Sequence, residues 1–166
     1  KNMSTDASRS SSPELATSGT SVYLEYTKRT STQDYSIIFR SSANSGGTWS
    51  GKTTLATTHP YGIGPASILT AGNYVHVVIE LIDKDNVFLT MRSSANNGAS
   101  FGPSVDPSSG DYVGATDMVV SGSNLFAVWV GFAYGDGIAF AKSTDNGLTW
   151  SVPEILDPDA SSARIA

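Results

Sequence analysis

Short apolar segments separated by polar turn residues run along the whole chain. The clearest are SGTSVYLEY (18–26), AGNYVHVVI (71–79) and SGSNLFAVW (121–129), each followed by a second segment: YSIIFRSS (35–42), NVFLTMRSS (86–94) or GIAFAKS (137–143). β-Branched and aromatic residues in short runs, bounded by Gly, Asn and Ser, predict β-strands joined by tight turns. No segment of the sequence shows a convincing helical period. The pattern therefore predicts an all-β fold.

An octet of residues begins at the end of each second segment and repeats three times. The copies are SANSGGTW (42–49), SANNGASF (94–101) and STDNGLTW (143–150), which share Ser, Asn or Asp, Gly, Ser or Thr, and a final aromatic at fixed positions. Their third residues, Asn44, Asn96 and Asp145, lie 52 and 49 positions apart. A period near 50 is typical of propeller blades.

The repeat predicts three four-stranded antiparallel β-propeller blades, with each octet forming the turn between the third and fourth strands. We expect the blades at residues 13–57, 65–108 and 115–157, with residues 1–10 as the end of a preceding blade and 158–166 as the start of a next one. Closed propellers have about 4–8 blades. We therefore expect either further blades of a longer chain or a homo-oligomer, in which a dimer would close six blades.

The octets resemble the Asp-box of sialidases and related repeat propellers, also called the BNR repeat. STDNGLTW matches that pattern at every defined position, whereas two octets carry Asn44 and Asn96 in place of the Asp and one carries Phe101 in place of the Trp. An Asn or Asp side chain can accept hydrogen bonds from the amides of its own turn, and Gly supplies the positive φ that such a turn needs. The resemblance thus implies a structural motif, in which the aromatic residue anchors the turn in apolar space. We assign this role to Ser42, Asn44, Gly46, Trp49, Ser94, Asn96, Gly98, Phe101, Ser143, Asp145, Gly147 and Trp150.

The end of the blades opposite the octets carries the loops between the second and third strands and the loops between blades. The resemblance to sialidases implies that ligands bind at this end. The candidate ligand-face residues are Arg29, Asp34, His59, Tyr61, Asp83, Asp85, Asp111, Tyr112, Tyr134 and Asp136. Tyrosine rings beside carboxylates would suit a sugar. Ordinary solvated turns are the alternative interpretation of the same residues.

The arginines do not form the set that a sialidase-like enzyme would need. Such an enzyme would use three Arg to bind a substrate carboxylate, a Tyr with a neighbouring Glu as nucleophile, and an Asp as acid and base. Arg40 and Arg92 occupy equivalent positions before two octets, which marks them as features of the repeat. The other three, Arg9, Arg29 and Arg164, are scattered along the sequence. The sequence therefore predicts no catalytic residue.

Two acidic residues and a histidine lie on the predicted second strands. Glu25 aligns with Val78, and Glu80 aligns with Thr27, so the two acids are not equivalent in the repeat. We interpret both as solvated at strand edges, with a lone acid in a site as the alternative. We interpret His76 as a packing residue.

Charge and composition exclude several kinds of partner. The formal net charge of −5 argues against nucleic acid, and no apolar run approaches the ~20 residues of a bilayer span. The chain has no Cys, and residues 83–86 begin like a calcium loop but lack its later Gly and Glu. We therefore predict no metal, no cofactor, no nucleic acid and no membrane insertion.

These observations favour a non-catalytic β-propeller module for binding or assembly, with a glycan or a protein as ligand. The resemblance to sialidases and extracellular repeat proteins implies an extracellular or cell-surface location. The alternative is part of a sialidase-like glycoside hydrolase whose catalytic residues lie in blades outside this chain. A third hypothesis is a carbohydrate-binding propeller with repeated weak sites, although the loops differ in length and composition between blades.

Overall fold

The computed structural model describes residues 9–32, 34–58, 62–84, 86–131 and 137–157. In these ranges the chain forms twelve β-strands, arranged as three four-stranded sheets with antiparallel neighbours in chain order. The described residues contain no helix, and accordingly none that could cross a bilayer. The three sheets are β-propeller blades, which confirms the predicted fold class.

Each blade is an up-and-down sheet of four consecutive strands. Blade 1 contains β1 (Ser10–Ser18), β2 (Ser21–Arg29), β3 (Tyr35–Ser42) and β4 (Thr53–Thr58). Blade 2 contains β5 (Ile63–Ala71), β6 (Tyr74–Asp83), β7 (Asn86–Ser94) and β8 (Ser104–Val105). Blade 3 contains β9 (Val113–Ser121), β10 (Asn124–Gly131), β11 (Gly137–Ser143) and β12 (Glu154–Asp157).

The first two strands of each blade are joined by a two-residue turn with a left-handed glycine. Gly19, Gly72 and Gly122 have φ values of 60°, 59° and 60°. Turns of this hand match the twist of the strands that they connect, and glycine adopts them without steric cost. Because these turns are equivalent, the first two strands pair in the same register in all three blades.

The core lies between the blades, because side chains alternate from face to face along each strand. Val75, Val77 and Ile79 of β6 belong to an apolar cluster with Tyr23 and Phe39 of blade 1. The opposite face of blade 2 packs on blade 3, where Val78 and Met91 meet Trp129 and Leu125. Burial of each such side chain contributes about 1.5–3 kcal/mol. Blade 2 is therefore buried on both faces.

Candidate functional site

The octets form closed turns between the third and fourth strands. In blade 1, Ser42 Oγ donates to Asn44 Oδ1 at 2.9 Å and accepts from Gly46 N at 2.9 Å. Asn44 Oδ1 also accepts from Thr48 N at 2.8 Å. The side chain at the third position therefore satisfies amides of its own turn.

The hydroxyl at the seventh octet position explains why Asn and Asp both fit. Asn44 Nδ2 donates to Thr48 Oγ1 at 3.0 Å, whereas Thr149 Oγ1 donates to Asp145 Oδ2 at 2.6 Å. A hydroxyl can serve as donor or acceptor, so the same turn closes with either residue. The hydrogen bonds from Thr149 and Ser143 lower the pKa of Asp145 to about 2.

The aromatic residues that end the octets lie against apolar clusters. Phe101 is edge-on to Phe39 of blade 1, with ring centroids 4.8 Å apart. Trp150 packs on the cluster between blades 2 and 3, and Trp49 packs on Leu24 and neighbouring residues of blade 1. All three side chains are partly buried.

Half of the candidate ligand-face residues fall in the described part of the chain. These are Arg29, Asp34, Asp83, Asp111 and Tyr112, whereas His59, Tyr61, Asp85, Tyr134 and Asp136 lie outside the described residues. The five described candidates lie in different parts of the fold and do not converge on one site. Asp83 ends β6 and is exposed.

Arg29 and Asp34 brace the loop between β2 and β3. Arg29 donates from Nε to Ser31 O at 3.0 Å, and Ser31 Oγ donates to Asp34 Oδ2 at 2.7 Å. The Arg29 guanidinium also lies 6.0 Å from the centroid of the Tyr35 ring. These contacts hold the loop against the end of blade 1.

Two arginines that the sequence interpretation treated as scattered are neighbours in the fold. Arg29 N donates to Arg9 O at 2.9 Å, because the chain before β1 continues alongside β2. The two residues, with Ser11 and Tyr35, line a small cleft of about 130 Å³. Their proximity depends on strand pairing, which sequence separation does not reveal.

Asp111 lies inside the protein, between blades 2 and 3. Its side chain is 2% exposed and accepts a hydrogen bond from Trp129 Nε1 at 3.0 Å. A Cβ on Gly131 would collide with Asp111 Oδ2, so the glycine makes room for the carboxylate. Neighbouring Tyr112 is 41% exposed and stands edge-on to Phe88. Of this pair, only Tyr112 presents a substantial surface to solvent.

Glu25 is completely buried, so the expectation that it is solvated at a strand edge is wrong. Its side chain is 0% exposed, and neither carboxyl oxygen has a hydrogen-bond partner. It lies opposite Phe39 and Glu14 in the sheet, on the face that packs toward blade 2. Burial, and to a smaller extent the nearby Glu14 carboxylate, raise the pKa of Glu25 to about 8. The carboxyl is therefore largely neutral at pH 7.

Glu80 reaches from blade 2 to blade 3. Its Oε1 accepts a hydrogen bond from Thr116 Oγ1 at 2.8 Å. Burial raises the pKa of Glu80, and the hydrogen bond from Thr116 partly opposes that shift. A Cβ on Gly64 would come within 2.8 Å of Glu80 Oε2, so glycine is needed beside this carboxyl group.

The Glu80–Thr116 pair lines a cleft of about 700 Å³ between blades 2 and 3. Ser67 and Asp117 add further polar groups to its lining, and both are exposed. Val78, Leu89, Val113 and Met118 supply its apolar lining. A concave surface that combines apolar walls with a few polar groups has the composition of a small-molecule site.

His76 is a buried residue with one satisfied nitrogen. Its Nδ1 lies 2.9 Å from Ser93 Oγ, whereas Nε2 is buried without a hydrogen-bond partner. Its ring stacks on Tyr74, with centroids 6.1 Å apart. Burial lowers the pKa of His76 to about 4, so the imidazole is neutral at pH 7.

The sequence held a signal for the buried acids. Glu25 occupies a position where blades 2 and 3 carry Val78 and Val128, and a charged residue at a position that is apolar in sister repeats indicates a special environment. The cleft itself had no such signal, since it exists only where β5, β6, β7 and β9 meet. Within the described ranges, no group of three or more His, Asp or Glu side chains could hold a metal ion.

No protein-family model matches the chain, and no curated protein sequence matches it. Solved structures do resemble it. The sialidase of Trypanosoma rangeli in complex with sialic acid superposes with a TM-score of 0.58 at 14% identity, over 86% of this chain and 30% of that one. A structure from the GH130 family superposes with a TM-score of 0.57 at 12% identity, over 92% of this chain and 52% of that one. That family is described as containing glycoside hydrolases that target β-1,2 mannosidic linkages in Candida mannan. A family 117 glycoside hydrolase of the marine bacterium Zobellia galactanivorans superposes with a TM-score of 0.52 at 14% identity, over 90% of this chain and 56% of that one.

This chain therefore spans between about a third and just over half of the proteins that it resembles. The similarity at these identities concerns the fold. It shows that the three sheets have the propeller fold.

Proposed function

We propose that this protein binds carbohydrate in the cleft that Glu80 and Thr116 line between blades 2 and 3, without hydrolysing it. The observation that carries the proposal is the hydrogen-bonded pair itself, with Oε1 and Oγ1 2.8 Å apart at the wall of a cleft of about 700 Å³. Hydroxyl and carboxyl groups bind sugar hydroxyls, while partly buried Val87 and exposed Ala115 offer an apolar surface to the C–H face of a sugar ring.

Two further observations support binding rather than hydrolysis. Glycosidases use a pair of carboxyl groups about 5–9.5 Å apart, on either side of the scissile bond. Of the buried acids, Glu25 is 0% exposed and cannot reach a substrate in the described conformation. Asp145 belongs to the octet turn, where Ser143 and Thr149 occupy its oxygens.

A second candidate function is a share in glycoside hydrolysis, and the raised pKa of Glu80 favours it. A carboxyl group with a raised pKa keeps its proton to higher pH than an ordinary glutamate and can act as a general acid toward a glycosidic oxygen. In this case the partner carboxylate would be Asp117, which lines the same cleft, or one from outside the described residues or from blades beyond this chain.

The test is a glycan-array screen of the folded protein, followed by calorimetric titration with the strongest-binding oligosaccharide of the array. We expect Thr116→Val and Glu80→Gln each to weaken binding about tenfold or more, because each removes a hydrogen-bonding group of the cleft. Thr53→Val and Glu154→Gln, at exposed positions on outer strands, are the matched controls and should bind like the wild type.

Hydrolysis is assayed on the same samples with fluorogenic sialosides and mannosides. A flat array for the folded protein, or binding that survives both cleft variants, would refute the proposed site. Turnover that Glu80→Gln abolishes would establish the second candidate instead.

A further inference from the structure

The fifth residue of each octet is a left-handed glycine that, in blades 2 and 3, touches the preceding blade. A Cβ on Gly98 (φ 77°) would meet Phe39 Cζ at 2.6 Å, and a Cβ on Gly147 (φ 79°) would collide with Met91 Cε. Both glycines are buried. The octet turn of one blade therefore docks on the third strand of the blade before it.

The octet turn of blade 1 has the same backbone without that contact. Gly46 has φ 84°, and a Cβ placed there would meet only Trp49 of its own octet, at 3.9 Å. Its preceding residue, Ser45, is exposed and has φ 54°. The structure describes all three octets, and the blade 1 octet is the one whose glycine contacts no other blade.

The receiving surface in blade 1 is a stacked aromatic pair. The rings of Tyr23 and Phe39 lie 6.2 Å apart at 22°, and each side chain is 1% exposed beneath the octet turn of blade 2. Tyr23 adds a hydrogen bond, since its Oη donates to Asn97 Oδ1 at 3.2 Å. Asn97 directly precedes Gly98, so this bond fixes the docked turn.

Blade 3 carries an equivalent aromatic pair on its outward face. Phe126 and Phe140 take the repeat positions of Tyr23 and Phe39, and their rings lie 6.4 Å apart at 18°. Both side chains are partly exposed, and the strand neighbour of Phe126, Val119, is 54% exposed. The same stacking that is covered in blade 1 is thus presented to solvent in blade 3.

We propose that the Phe126–Phe140 pair of one copy receives the octet turn around Gly46 of a second copy. The contact would continue the interface that blades 1 and 2 already form inside the chain, with Gly46 in place of Gly98. The described residues of the 166-residue protein include one such turn and one such aromatic pair, so two copies related by a two-fold axis can make the contact twice. The inference is independent of the proposed carbohydrate site.

The first test is the mass of the 166-residue protein by light scattering after size exclusion, over a range of concentrations. We expect a species of twice 17.4 kDa. Phe126→Glu and Phe140→Glu should each raise the dissociation constant about 30-fold or more, because they place a charge where an apolar contact forms. Leu148→Glu is the control, since Leu148 is 69% exposed in an octet whose glycine is already docked within the chain.

The second test rebuilds the missing hydrogen bond. Ser45 corresponds to Asn97 and Phe126 to Tyr23, so Ser45→Asn with Phe126→Tyr would recreate the Tyr–Asn pair across the interface. We expect the double variant to have a lower dissociation constant than the effects of the two single substitutions, added together, would give. The difference should be about fivefold for each contact.

A protein that remains at 17.4 kDa up to 100 µM (about 2 mg/ml) overturns the proposal and leaves the aromatic pair for another blade or another protein. Association that both glutamate variants leave unchanged, with circular dichroism showing a folded sheet, also overturns it. So does a double variant without coupling between positions 45 and 126. Mass that keeps growing with concentration supports the docking contact, in an open head-to-tail arrangement, where the glutamate variants prevent the growth, and it overturns the proposal where they do not.

Discussion

Glu25 makes the stability of this protein depend on pH in a direction that is unusual for a carboxyl group. In the folded state the side chain is 0% exposed with no hydrogen-bond partner, and its pKa is raised from 4.5 to about 8. In the unfolded chain the carboxyl ionises at its ordinary pKa. The folded state therefore binds a proton that the unfolded state releases over the intervening pH range.

The magnitude follows from the shift. One pKa unit corresponds to about 1.4 kcal/mol, and the stability that the proton contributes is complete below pH 4.5 and is lost as the pH rises through the folded pKa near 8. The loss is about 3 kcal/mol at pH 7 and about 5 kcal/mol above pH 8. Because single domains are stable by only about 5–15 kcal/mol, a loss of this size is measurable and near the limit of folding.

The perturbation that tests this account is Glu25→Gln, which keeps the shape and removes the charge. Urea unfolding, followed by tryptophan fluorescence from pH 5 to pH 9, gives the free energy of unfolding of both proteins. We expect the wild type to lose about 4 kcal/mol more than the variant across this range. Glu154→Gln, on the exposed outer strand β12, should follow the wild type.

Parallel pH profiles for the wild type and Glu25→Gln would contradict this prediction, because they would mean that Glu25 ionises equally in the folded and unfolded states. Glu14→Gln offers a second check. The Glu14 carboxylate helps to raise the pKa of Glu25, so its removal should shift the wild-type transition to lower pH without abolishing it.

Two further predictions concern contacts of single residues. Buried His76 has a pKa of about 4, so the stability that the neutral imidazole contributes is present above pH 6.5 and is lost as the pH falls through 4. This loss amounts to about 3 kcal/mol. Urea unfolding of His76→Phe should show that the loss at acid pH is gone. Gly98→Ala should cost about 3 kcal/mol or more, because it adds a clash with Phe39 to the strain of its positive φ, whereas Gly46→Ala should cost about 1–2 kcal/mol from the strain alone. The glycine pair is compared in dilute solution, where association is absent, and equal losses would contradict the contact.

The fold was predictable because its signals are local. Three octets at blade spacing, each preceded by two short apolar segments, were enough to predict four-stranded antiparallel sheets. Differences appear where pairing is not local: β1 begins at Ser10 rather than at residue 13, with a register shift between Ser11 and Glu14, and β8 keeps only Ser104–Val105. Strand ends depend on the neighbouring strand, which short-range patterns do not report.

The candidate site was predictable only in part. Sequence reasoning placed polar loop residues at one end of the blades, and five of them lie outside the described residues. It could not foresee that Asp111 turns inward to Trp129, that Arg9 lies beside Arg29, or that Glu80 meets Thr116. Each of these contacts joins residues on different strands or blades, so it requires knowledge of which faces meet.

The positions at which the blades differ distinguish architecture from candidate function. The octet hydrogen bonds recur with nearly the same distances in all three blades, and even the change from Asn to Asp preserves the turn. The cleft wall, in contrast, is unique to one junction: the positions equivalent to Glu80 are Thr27 and Val130, and the position equivalent to Thr116 in blade 2 is Ala66. A fold needs each blade to repeat, whereas a single binding site needs one junction to be different. The asymmetric Glu80–Thr116 junction is therefore where a ligand should be sought, and the symmetric octets are where assembly should be tested.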